Sequence, residues 1–148
     1  MFNIGLLILT RTFMYSVEIV THWKKEDEFV ANVSGHDILM SANPDKGSSP
    51  KQMLLAGLAG CTGVDVVDML KKMRVEFDAF SITVNAHQTD EHPKIYDHIK
   101  ILYTFTGKNI DKSKIEKAVK LSKEKYCGVS AMLGKASTIK FEIVVLES

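Results

Sequence analysis

The chain has 148 residues, of which 45% are apolar and 25% charged, a globular composition that excludes a disordered or collagen-like polymer. Nineteen basic against eighteen acidic residues leave a net charge of +1, so no single-sign field marks a dedicated nucleic-acid or membrane-surface binder. Arginine occurs only at Arg11 and Arg74, which leaves little of the planar fork that clamps phosphate.

A chain of this length is expected to form one domain. Residues 1–13 read as an N-terminal extension and residues 14–148 as a single domain. Residues 1–10 are apolar but lack the basic flank and small-residue cleavage pattern of a signal peptide. No apolar run is expected to reach the roughly 20 residues of a bilayer span. A cytoplasmic location, no membrane partner and reduced thiols follow as expectations.

Residues 15–23 alternate and carry β-branched side chains, which predicts a strand. Residues 28–33 and 36–40 read as two arms of a hairpin around Ser34-Gly35. A loop dense in turn formers covers 41–48. Ser49-Pro50 predicts an N-cap followed by proline in the first helical turn, opening a helix to about residue 73. That helix is apolar on nearly every side from Met53 to Gly60, the pattern of a helix buried all round. Its glycines each cost about 1 kcal/mol relative to alanine, so close packing or a pocket must compensate.

Residues 79–87 and 95–106 read as a second hairpin. Asp111 caps a predicted helix over 111–125, with Ile115, Ala118, Val119 and Ser122 on one face and lysine and glutamate on the other. A short turn or helix over 129–133 and a strand over 137–146 complete the order β-β-β-α-β-β-α-β, an α+β fold.

Cys61 and Cys127 are the two cysteines, too few for a disulfide-stapled scaffold and without the Cys-x-x-Cys spacing of a thioredoxin-type site. A thiolate attacks a peroxide O–O bond, gives a sulfenic acid and releases an alcohol. A second thiol condenses with the sulfenic acid to a disulfide, and a reductant restores the dithiol. Two cysteines are the minimum set for that cycle. On the residues alone the commoner reading is a small buried apolar residue that does no chemistry.

The segment Ser49-Pro50-Lys51-Gln52-Met53-Leu54-Leu55-Ala56-Gly57-Leu58-Ala59-Gly60-Cys61-Thr62 resembles the first cysteine motif of the OsmC/Ohr family, the osmotically inducible and organic hydroperoxide resistance proteins. Tyr126-Cys127-Gly128-Val129-Ser130-Ala131-Met132-Leu133 resembles its second. The resemblance extends over roughly residues 15–147 and includes the element order. It implies a thiol peroxidase acting on hydroperoxides, preferably organic ones, with Cys61 as the attacking and Cys127 as the resolving cysteine. It also implies an intertwined homodimer with the long helix buried between subunits. No bound metal, flavin or other cofactor is implied; the reductant is an external dithiol, of lipoyl type in the organic-hydroperoxide branch. An apolar pocket of Met53, Leu54, Leu58 and partner-subunit residues is expected to hold the alkyl group.

The sequence departs from the better-studied branches of that family. Lys51 stands where those branches carry a glutamate, and no arginine lies between Met14 and Cys61. Lys51 is about 15 Å along the helix from Cys61 and is no direct partner within it. His22, His36 or a residue of a second subunit are the candidates for a substitute cation. A missing cation favours the alternative of a redox-sensing or small-ligand-binding dimer, with slow or no turnover. A purely structural domain is the third reading.

Other polar residues receive plainer readings. His87, His92 and His98 lack metal-ligand spacing and read as solvent-facing. Asp65 and Asp68 read as the emergence of the helix into water. The lysines between 112 and 125 read as a solvated face, with no interleaved aromatics for nucleic acid.

Overall fold

A computed structural model describes residues 17–148, which form two compact units that divide between Ser49 and Pro50, where the sequence reads as one domain. The extension over 1–13, Arg11 and the start of the first predicted strand at Tyr15 lie outside the described residues.

The first unit is an antiparallel sheet in the order β1-β2-β3, with β1 at Val20–Lys25, β2 at Glu28–Val33 and β3 at His36–Met40. The hairpin between β2 and β3 turns on Ser34 and Gly35, both at positive φ, the geometry that matches the twist of the flanking strands. Strand β1 starts later than its alternation predicts and is exposed throughout. Asp27 organises the loop after β3: its carboxylate accepts from the Ser41 hydroxyl at 2.9 Å and the Asn43 amide at 3.0 Å. His22 and His36 both occupy exposed positions of this sheet.

The second unit packs helices on a three-stranded sheet. Helix α1 spans Gln52–Lys72, β4 Ala79–Gln88, β5 Tyr96–Thr106, α2 Lys112–Leu121, α3 Gly128–Leu133 and β6 Thr138–Leu146. A single π-helical turn at Ser122–Tyr126 continues α2, and the long helix predicted to 125 stops one residue short of its end. Strand β4 pairs antiparallel with β5, and β5 pairs in parallel with β6. The parallel pair follows from the connection, because α2, the π turn and α3 form the crossover that such strands require.

Helix α1 starts without the expected serine cap. Lys51 is its N-cap in helical geometry with no side-chain capping bond, and Pro50 precedes it in a turn. At the other end Arg74 takes positive φ; its amide reaches the Lys71 carbonyl and the Val75 amide reaches the Leu70 carbonyl, a Schellman closure made without glycine. Asp111 caps α2 as expected, accepting from the amides of Ser113 and Lys114.

The core lies between α1, α2 and the sheet. Leu58, Thr62, Val66 and Leu70 repeat every four residues and form the buried stripe of α1. Ile99, Ile101, Tyr103 and Phe105 alternate along β5, and Ile115, Ala118 and Val119 come from α2. Phe80 stacks on Phe105 at 4.2 Å between centroids. Gly63 brings α1 close to β4, with Ile82 Cδ1 3.0 Å from where a Cβ would stand.

One sequence expectation needs correction here: α1, at 21 residues, is by length and composition long and apolar enough to cross a membrane. Only one stripe of it, Leu58, Thr62, Val66 and Leu70, is buried, and just 22% of its apolar window is covered, so the helix is not buried all round as its sequence reads.

Candidate functional site

Helix α1 carries Cys61 in its middle, half-buried on the turn after Leu58, and Asp65 one turn further on. The second cysteine reaches the site by a different route. The π turn closes with a hydrogen bond from the Cys127 amide to the Ser122 carbonyl at 2.8 Å, one residue wider than an α turn. That extra residue ends the helix and leaves Cys127, in extended geometry, as the N-cap of α3. Cys127 is 2% exposed, and its Sγ accepts from the Ser130 amide at 3.4 Å.

These two routes converge. The sulfurs of Cys61 and Cys127 and a carboxylate oxygen of Asp65 lie within 4.8 Å of one another. Side chains 66 positions apart in the chain thus meet. The Val129 amide lowers the Cys61 thiol pKa while the Ser130 amide bonds to Cys127 Sγ, so the first turn of α3 addresses both thiols.

A buried hydroxyl chain supports the carboxylate. Tyr103 Oη and Thr62 Oγ1 are 2.7 Å apart, Thr62 Oγ1 and Ser122 Oγ 2.9 Å, and the Ser122 hydroxyl donates to Asp65 Oδ2 at 3.1 Å. Each hydroxyl can both donate and accept, so the chain satisfies itself. No buried side-chain polar atom among the described residues lacks a partner.

The electrostatics hold Cys61 in the thiol form. Burial pushes its pKa above the usual thiol range; the Val129 amide opposes that shift, while Cys127 and Asp65 reinforce it. Labelling of Cys61 by iodoacetamide, followed by mass spectrometry of the reduced protein, is therefore expected to quicken close to tenfold per pH unit through neutrality. It should level off only above the reference thiol pKa of about 8.5. A plateau already at pH 7 would contradict this environment. Stability runs the opposite way with pH: the contribution of the raised pKa is full below the unfolded value and is lost as pH rises through the folded one.

The expected pocket residues separate. Leu58 is completely buried in the core, so it serves packing and not an open pocket. Met53 is half-buried, and Leu54 is half-exposed two turns before Cys61 on the same helix face. The cavity bordering Asp65 is instead lined by Met69, Met73, Leu121 and Tyr126, with Asp68 and Lys72 at its polar side, and measures about 310 Å³.

Lys51 is not at the site: its Nζ donates to Gln88 Oε1 at 2.6 Å and to the Lys94 carbonyl at 2.9 Å, which ties it to the β4–β5 turn. The reading of Asp65 and Asp68 as surface residues holds only for Asp68, which pairs with Lys72 at 2.6 Å. Asp65, Ser122 and Val129 were not readable as site residues. The one sequence signal for Asp65 is its i+4 spacing from Cys61 on a helix.

Residues 43–142 match the model of the OsmC-like protein family. Protein YhfA of Escherichia coli (strain K12) is 37% identical over 116 residues, covering 76% of this chain and 87% of that protein. A hypothetical protein from Aquifex aeolicus VF5, solved as a crystal structure, is 35% identical with a TM-score of 0.84 over 91% of this chain and 99% of that one. The organic hydroperoxide resistance protein OhrB of Bacillus subtilis shares the fold at 17% identity, with a TM-score of 0.63 over 86% of this chain and 98% of its own.

Proposed function

Because the chain belongs to the OsmC-like protein family, whose members suggest a redox or peroxidase-related role, we propose that it is a two-cysteine thiol peroxidase for organic hydroperoxides. The observation that carries this reading is the approach of the Cys61 and Cys127 sulfurs within 4.8 Å. A disulfide requires about 2.05 Å between sulfurs, so the two thiols must close further to bond.

Cys61 loses its proton, and its thiolate attacks the distal oxygen of ROOH; the O–O bond breaks, the sulfur becomes a sulfenic acid, and ROH leaves with one proton. Cys127 attacks the sulfenic sulfur, the S–S bond forms, and the hydroxyl departs as water with the thiol proton. An external dithiol then reduces the disulfide and is itself oxidised to a disulfide. The cavity beside Asp65 is lined by neither cysteine, and its apolar wall of Met69, Met73 and Leu121 would suit an alkyl group reaching past that carboxylate.

A homodimer belongs to the same reading. Leu54 and Val64 of α1 are 50% and 72% exposed, and a Cβ at Gly57 or Gly60 would meet nothing within 4 Å in one protomer. A second copy of α1 would cover that face and account for the glycines.

The raised Cys61 pKa favours one second reading, a redox switch that forms the same disulfide without rapid turnover. Both readings are tested by titrating the reduced protein with cumene hydroperoxide. The expected result is loss of both thiols per equivalent, a mass lower by two hydrogens and a Cys61–Cys127 cross-linked peptide. A chain that keeps both thiols under excess hydroperoxide, or that gains oxygen at Cys61 without cross-linking, overturns them. Continued consumption with excess dithiothreitol then separates the peroxidase from the switch.

A further inference from the structure

The spacing of His87, His92 and His98 reads as solvent-facing histidines without a ligand pattern; folding leaves His87 and His98 exposed but brings them together. Strand β4 places His87 directly opposite His98 of β5. Regular pairing would put Asp97 on the opposite face from His98, since side chains alternate along a strand. The register instead passes from His87↔His98 to Gln88↔Tyr96, skipping Asp97. Such a bulge sets two residues of one strand against one of the other, so Asp97 and His98 both oppose His87.

The result is a compact donor set. Asp97 Oδ1 lies 2.7 Å from His87 Nδ1, and Asp97 Oδ2 lies 3.2 Å from His98 Nδ1. The imidazoles are edge to face, with centroids 6.3 Å apart. One ligand atom from each of the three residues falls within 4.8 Å of the others.

We propose that His87, Asp97 and His98 form a binding site for one divalent transition-metal ion of the Zn²⁺ class on the exposed face of the β4–β5–β6 sheet. Two imidazoles and a carboxylate suit a borderline cation and leave further positions to water. The carboxylate brings one negative charge against the ion, and Asp90 adds field near His87. Both rings are about two-thirds exposed, at 66% and 68%, so an ion enters without unfolding the strands. The adjacent concavity of about 630 Å³ also reaches Lys100, Lys140 and Glu142, and Lys100 is occupied by Glu142 at 2.5 Å.

The site stands apart from the thiol chemistry, and the test keeps it so. Cys61, Asp65 and Cys127 form a second possible metal cluster. Zn²⁺ is therefore titrated calorimetrically into the full chain carrying Cys61→Ser and Cys127→Ser. One saturable equivalent is expected. His87→Ala, His98→Ala and Asp97→Asn should each weaken it by at least about tenfold, since loss even of a ligand's hydrogen-bond partner costs about 10- to 100-fold. His92→Ala should leave it unchanged. Ni²⁺ should broaden the amide signals of Thr138 and Lys140 selectively in the parent, a readout independent of how the variants fold. Absence of saturable binding, equal affinity after His87→Ala, or broadening centred elsewhere overturns the proposal.

Discussion

Serine at position 61 is expected to lower dithiol-dependent consumption of cumene hydroperoxide by a factor on the order of a thousand, because an alkoxide cannot form at neutral pH where a thiolate can. Cys127→Ser should behave differently. Its first equivalent of hydroperoxide is still reduced, but Cys61 then stands as a sulfenic acid without a partner and advances to the sulfinic acid under excess peroxide. Rapid-mixing assays with intact-mass detection separate the two. Steady turnover by the Cys61→Ser protein at the parent rate would remove Cys61 from the reaction, and a stable Cys61 thiol in oxidised Cys127→Ser protein would remove the proposed order of events.

Leu58→Ala is the second large effect. Leu58 is completely buried among Val66, Leu70 and the β5 side chains, so truncation removes packed surface and leaves a cavity. Losses at such sites run at about 2–5 kcal/mol, readable as a shift in the urea midpoint. Leu54→Ala should leave the protomer's fold intact, because Leu54 is 50% exposed. On the dimer proposal it instead weakens self-association, measured by sedimentation. Comparable destabilisation from both substitutions would contradict the assignment of Leu58 to the core and Leu54 to an outward face.

The two leucines also illustrate what periodicity can and cannot specify. Both lie in an almost continuously apolar stretch, and a stretch of that kind carries no phase: every position reads as equally buried. The sheet supplies the phase by receiving one stripe, Leu58, Thr62, Val66 and Leu70. Strand β5 was easier to read because its alternation has a phase of its own, with Ile99, Ile101, Tyr103 and Phe105 inward and the intervening residues outward. The hairpin turn at Ser34-Gly35 was readable from turn chemistry alone.

The candidate site divides along similar lines. Its sulfurs could be named from the two motifs, since cysteines are few and their flanking residues distinctive. Its carboxylate and hydroxyls could not. Asp65 looks like an ordinary helix-surface acid until Ser122 and Cys127 arrive beside it from the far end of α2. Ser122 looks like one more residue of an amphipathic helix until the π turn begins there. Asp97 shows the same dependence, because a register irregularity has no local signature in five or six residues of polar sequence.

What the amino-acid order determined by itself was local and periodic: the elements and their order, the capping Asp111, the β2–β3 turn and the two cysteine motifs. Each depends on backbone preferences or on side-chain repeats within a few residues. Tertiary structure decided which face of α1 is core, that β6 lies parallel to β5, and which polar groups meet. Those outcomes depend on distances between segments far apart in the chain, and such distances exist only after the apolar faces have found one another.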